Sequence, residues 1–151
     1  MMIFLLNKVK VLVRIISCFI SSQVLKIKLK VYKCHYGKNL KVDGAVLFKL
    51  SKYNSIHIGD NVKINSSIKS NLVGINNYFS FQIIDNGSIK IGDNCGLTST
   101  VFSSRCNISI GDNVKIGGNV RIFDHDYHSL DFKFRRNKEL DVKIVKLKKF
   151  L

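Results

Sequence analysis

Within three stretches of this chain an aliphatic residue returns every sixth position, and few folds tolerate that spacing. Ile58-Gly-Asp-Asn-Val-Lys runs directly into Ile64-Asn-Ser-Ser-Ile-Lys. Ile91-Gly-Asp-Asn-Cys-Gly runs into Leu97-Thr-Ser-Thr-Val-Phe, and Ile110-Gly-Asp-Asn-Val-Lys into Ile116-Gly-Gly-Asn-Val-Arg and then Ile122. A helix returns to one face every three or four residues and a strand every two, so six is the mark of a repeat architecture. The first residue of each hexad points inward, and so does a small or β-branched residue four later, as Val62, Val114 and Val120 are. Between them Gly-Asp-Asn supplies residues tolerant of a left-handed backbone, as a corner requires. Each hexad is one flat side and one corner. Three close a triangular coil of eighteen, and stacked coils pair as parallel strands. Ile91 to Ile110 spans nineteen residues, one coil with one residue to spare. Ile58 to Ile91 spans thirty-three, so Leu72–Gln82 is predicted to leave the coil as a loop.

Ahead of the repeats, Asn7, Lys10, Arg14, Ser17 and Ser21 recur at helical spacing. They form a polar stripe on a helix over about residues 3–24, whose other faces carry residues such as Phe4, Val9, Leu12, Ile16 and Ile20. Its apolar side is expected to pack on the remaining fold or a second subunit, or else to make a peripheral membrane contact aided by its basic groups. From Lys26 the pattern changes: Ile27, Leu29 and Val31 alternate with lysines, which predicts a strand. The chain is thus divided into residues 1–25 as amphipathic helix and 26–151 as β-helix. The apolar run after Arg14 is too short to span a bilayer, which takes about 20 residues, and its order of charge and apolar core is wrong for a signal peptide.

Proline is absent, so corners fall to Gly, Asn and Asp. A net charge of +15 suits anionic ligands, but no RNA-binding motif, recognition helix or stacking pair points to nucleic acid. The four cysteines, at 18, 34, 95 and 106, lack metal-site spacing and read as reduced thiols of a cytoplasmic protein.

With these residues the chain resembles the hexapeptide-repeat acyltransferases, especially bacterial surface-polysaccharide O-acetyltransferases and their maltose and galactoside acetyltransferase relatives. The resemblance covers about residues 27–142 and is most specific at Ile108–Asp131, ISIGDNVKIGGNVRIFDHDYHSLD. It implies an all-β fold, a left-handed parallel β-helix, normally a homotrimer with active sites between subunits. It implies transfer of an acetyl group from acetyl-CoA to a saccharide hydroxyl, without a covalent intermediate or a metal. His128 is then the general base, with Asp126 or Asp131 fixing its tautomer. His125, three residues earlier, is the alternative base or an acceptor contact. An asparagine that places the acceptor in relatives corresponds here to the stretch Leu97–Thr100, leaving Ser99 and Thr100 for that task. The cluster Asp124, His125, Asp126, His128 and Asp131 is a weaker candidate for a divalent metal. His35 and His57 are expected at the surface. Relatives continue with further coils that contact CoA, whereas this chain ends at Leu151 with a strand expected from about Val142. A shortened, catalytically silent scaffold of the same fold is therefore the competing expectation.

Overall fold

The computed structural model describes residues 2–68 and 74–136, with side chains from Leu6 onward. Among the described residues one helix, α1 (Met2–Val31), is followed by four coils of three short strands. The first coil is β1 (His35–Tyr36), β2 (Lys41–Gly44) and β3 (Val46–Leu50); the second is β4 (Ile56–Ile58), β5 (Lys63–Ser66) and β6 (Phe79–Ile83). The third is β7 (Ile89–Ile91), β8 (Gly96–Thr98) and β9 (Val101–Ser104); the fourth is β10 (Ile108–Ile110), β11 (Lys115–Ile116) and β12 (Arg121–Phe123). Each strand pairs in parallel with its counterpart one coil away. This gives three faces, β1-β4-β7-β10, β2-β5-β8-β11 and β3-β6-β9-β12. The fold is a left-handed parallel β-helix.

Stacking in register sets like residues on like in the interior. Ile58, Ile91 and Ile110 form one column, Val42, Ile64, Leu97 and Ile116 a second, and Phe48, Phe81, Phe102 and Ile122 a third. Ile58, Ile64, Ile91 and Phe102 are fully buried; Ile110, Ile116 and Ile122 in the last coil are half-covered. The same grading runs through the fifth hexad position, from buried Val62 and Cys95 to partly buried Val114, while Val120 is exposed. Dispersion and the hydrophobic effect reward this arrangement because each buried side chain meets a matching shape above and below.

The corner between the first and second faces explains the repeated Ile-Gly-Asp-Asn. Asparagine, not glycine, takes the left-handed backbone: Asn39, Asn61, Asn94 and Asn113 have φ between 56° and 61°. The glycine is needed for a different reason. A Cβ on Gly59 or Gly92 would strike the Asp carboxylate and the corner backbone of the next coil, at 2.8 Å and 2.7 Å from the nearest carbonyl carbon. That carboxylate accepts a hydrogen bond from the amide below it: Lys38 N to Asp60 at 2.7 Å, Asp60 N to Asp93 at 2.7 Å, Asp93 N to Asp112 at 2.8 Å. Asn39 donates to Asn61, and Asn61 to Asn94, alongside. Each letter of the motif has one physical task.

Two sequence expectations need correction. Lys26–Val31 is helix, not strand, because Cys18, Ser22, Leu25 and Leu29 form a stripe at helical spacing that packs on β2. Leu25 and Leu29 are buried, and Ser22 Oγ accepts from Val42 N at 2.8 Å while donating to Cys18 O at 2.6 Å. Burial on two turns of helix outweighs the alternating lysines. The helix ends in a Schellman motif, with Lys33 at φ 53°, Cys34 N donating to Leu29 O and Lys33 N to Lys30 O. Second, the predicted loop Leu72–Gln82 reaches too far. Phe79–Ile83 is the strand β6, its alternating Phe79, Phe81 and Ile83 buried against neighbouring coils. The strand expected from Val142 lies outside the described residues.

Candidate functional site

The third corner, where the last face returns toward the first, carries the histidines of the DHDYH stretch. Asp124 follows β12 directly and closes onto the preceding coil. Its carboxylate accepts from Arg105 N at 2.7 Å, Ser104 Oγ at 2.7 Å and Cys106 N at 3.1 Å. Burial raises its pKa, but the donors from Arg105, Ser104, Cys106 and His125 outweigh burial and hold it below the ordinary carboxylate value. One oxygen lies 3.3 Å from His125 Nδ1. The imidazole of His125 is fully covered, edge-on to Tyr127 with centroids 4.8 Å apart, and its Nε2 is buried without a hydrogen-bond partner.

The chain then folds back over the third face. Tyr127 Oη lies 2.8 Å from Gln82 Oε1 and 2.9 Å from Ser103 Oγ, and Ser103 itself donates to Gln82 Oε1. Asp126 is half-buried and His128 exposed on the same loop. Ser129 is buried and accepts from Asp131 N at 3.2 Å, while its carbonyl accepts from Arg135 Nε at 2.8 Å. Asp131 caps a turn by accepting from Lys133 N at 2.9 Å.

Ser99 and Thr100 lie elsewhere, at the second corner between β8 and β9. Both are fully buried. Thr100 Oγ1 donates to Thr98 O, and Ser99 Oγ stands 3.5 Å from Asn65 O. The segment entering β6 covers them: Asn77 Nδ2 donates to Ser99 O at 2.6 Å. The same segment is tied to the last coil, with Asn76 N donating to Asn119 Oδ1 and Asn119 Nδ2 to Gly74 O. Within one chain, then, the two residues expected to hold an acceptor and the two histidines occupy different edges of the prism.

Sequence reasoning singles out the loop that carries the histidines but not the residue that anchors it. Asp124 entered only as a metal-cluster candidate, whereas its hydrogen bonds tie the loop to the coil below. Gln82, Ser103 and Tyr127 were not anticipated, because their meeting depends on strand register. Among the described residues no three His, Cys, Asp or Glu side chains form a metal-sized group. His35 and His57 are exposed and stack on each other, centroids 4.3 Å apart. No family model, curated protein or solved structure matches this chain.

Proposed function

We propose that this chain transfers an acyl group, acetyl from acetyl-CoA, to a saccharide hydroxyl, with His128 as general base. The observation that carries this reading is a histidine-bearing loop pinned to the third corner of a β-helix through the Asp124 carboxylate. A neutral alcohol is a poor nucleophile, and an imidazole is the side chain best matched to removing its proton near neutral pH. The alcohol oxygen bonds to the acyl carbon as the proton passes to the imidazole. The carbon–sulfur bond then breaks, and the imidazolium returns the proton to the departing thiolate. The ring of His128 is exposed to solvent. The covered ring of His125, bonded to Asp124, positions the segment that presents it. In an assembly of several chains, the interface supplies what one prism edge lacks.

The test is release of free thiol when the purified protein meets acetyl-CoA and a panel of sugars. His128→Ala is expected to lower the rate about 100-fold or more while circular dichroism stays β-rich. Retained activity removes His128 from the mechanism. Activity that survives His128→Ala but not His125→Gln transfers the base role to His125. A second reading is a catalytically silent scaffold of the same fold. It draws support from Ser99 and Thr100, whose buried hydroxyls face backbone carbonyls. Absence of thiol release with every acceptor in the panel favours it.

A further inference from the structure

Helix α1 buries one stripe, and the side opposite is uncovered. Leu6, Val9, Val13, Ile16, Ile20 and Val24 recur at intervals of three and four, so they share one face. Ile27 and Val31 continue it, and all eight are between 46% and 65% exposed. Cys18, Ser22, Leu25 and Leu29, which meet the β-helix, lie on the other side of the same cylinder. Soluble proteins seldom leave so long an aliphatic stripe in water.

The charges along this helix indicate what covers it. α1 carries Lys8, Lys10, Arg14, Lys26, Lys28 and Lys30 and not one acidic residue. Helical spacing sets Lys10 along one border of the stripe and Lys8, Lys26 and Lys30 along the other, while Lys28 on the first side donates to Val46 O of the β-helix at 3.1 Å. On the second border lies a groove of about 750 Å³ between α1 and β2, where Lys41 and Lys63 stand in register and Arg14 pairs with Asp43 at 3.1 Å, leaving the lining net cationic. A second copy of α1 laid on the stripe would set lysine against lysine with no carboxylate to answer it. A bilayer with anionic headgroups answers both features, taking the aliphatic side chains among its acyl chains and the ammonium groups among its phosphates. No helix among the described residues is long and apolar enough to cross a membrane, so α1 would lie in the interface plane. We infer that the outward stripe of α1 docks the protein on an anionic membrane surface, with the β-helix held on the aqueous side. This rests on the helix and the groove beside it and is independent of the acyl-transfer reading.

Cosedimentation with vesicles tests it, using phosphatidylcholine mixed with phosphatidylglycerol against phosphatidylcholine alone. The protein is expected to pellet with the mixed vesicles and to be released by high salt. Ile16→Glu with Ile20→Glu should weaken partitioning about tenfold or more, and Lys10→Gln with Lys30→Gln about fivefold per lysine. All four side chains are exposed, so melting and circular dichroism should be unchanged. Failure to pellet with the mixed vesicles overturns the inference, as does pelleting that neither double variant weakens. So does an assembly, seen without lipid by sedimentation velocity, that Ile16→Glu with Ile20→Glu dissociates, since the stripe is then an interface between copies.

Discussion

The first and third corners of the β-helix turn the chain through similar angles by opposite means. At the first, every coil from the second onward uses the same Gly-Asp-Asn, and each Asp bonds the amide of the coil below. At the third, the turning residues differ from coil to coil: Asn54, then Asp85, then the Arg105–Cys106 pair, then Asp124 and His125. A repeated corner fixes the spacing of the coils and leaves no room for variation. An irregular corner does not have to match its neighbour, so it is free to hold side chains whose use is chemical.

The contrast is tested most severely by adding one methyl group at two equivalent positions. Gly92→Ala places a Cβ against Gly111 C at 2.7 Å and the amide of Asp112 at 2.8 Å, backbone that cannot move without unstacking the coil. A loss of about 3 kcal/mol or more is expected. At Gly111, in the last described coil, a Cβ meets nothing within 4 Å among the described residues, and Gly111→Ala should stay within about 0.5 kcal/mol. Denaturant melts of the two variants decide it. Equal losses would mean that the glycine serves the turn itself and not the close approach of coils.

A smaller effect separates the two kinds of aspartate. Asp124→Ala strips an acceptor from Arg105 N, Ser104 Oγ, Cys106 N and His125, and about 2–3 kcal/mol is expected. Asp112→Ala removes one bond, from Asp93 N, and about 1 kcal/mol. The Asp124 carboxyl has its pKa lowered by folding, so its contribution is complete above the ordinary carboxylate value of about 3.9 and is lost as pH falls through the folded value. Acid titration of the melting temperature should therefore flatten in Asp124→Ala. Comparable losses in the two variants would make the third corner no more anchored than the first.

These differences also mark what a reader of the sequence sees. The interior columns were legible because a spacing of six is conspicuous and because Ile58, Ile64, Ile91 and Leu97 each begin a hexad. The role of the motif glycine was not: it depends on how closely the next coil approaches, and Gly59 has an ordinary φ that hides its purpose. The helix was read as ending near residue 24 because Lys26–Val31 alternates. Only the contact with Leu40 and Val42 reveals which period governs. At the site, the histidines stood out as residue types, whereas the Gln82–Ser103–Tyr127 cluster joins positions up to 45 residues apart. Such a meeting is set by the register of β6 on β9 and by the fold-back of the chain after β12, neither of which carries a periodic signal.

The smallest expected effect concerns the first face, where the stacking is regular yet still places titratable groups together. His57 stacks on His35 with centroids 4.3 Å apart and stands in register with Lys90. Burial lowers its pKa, His35 and Lys90 lower it further, and Asp93 opposes them. A histidine with a folded pKa below its unfolded value disfavours the protonated form in the native state. Stability is therefore fully present above the unfolded value of about 6.5 and declines as pH falls below it. The ring is exposed, so water and salt screen the effect and the shift in melting temperature should be small. His57→Gln should reduce the difference between melts at about pH 7.5 and about pH 5.5, and added salt should shrink it in the parent protein. A variant that melts with the parent's full pH dependence would show that the stacked pair is electrostatically silent, and that even the regular faces owe their stability to the interior alone.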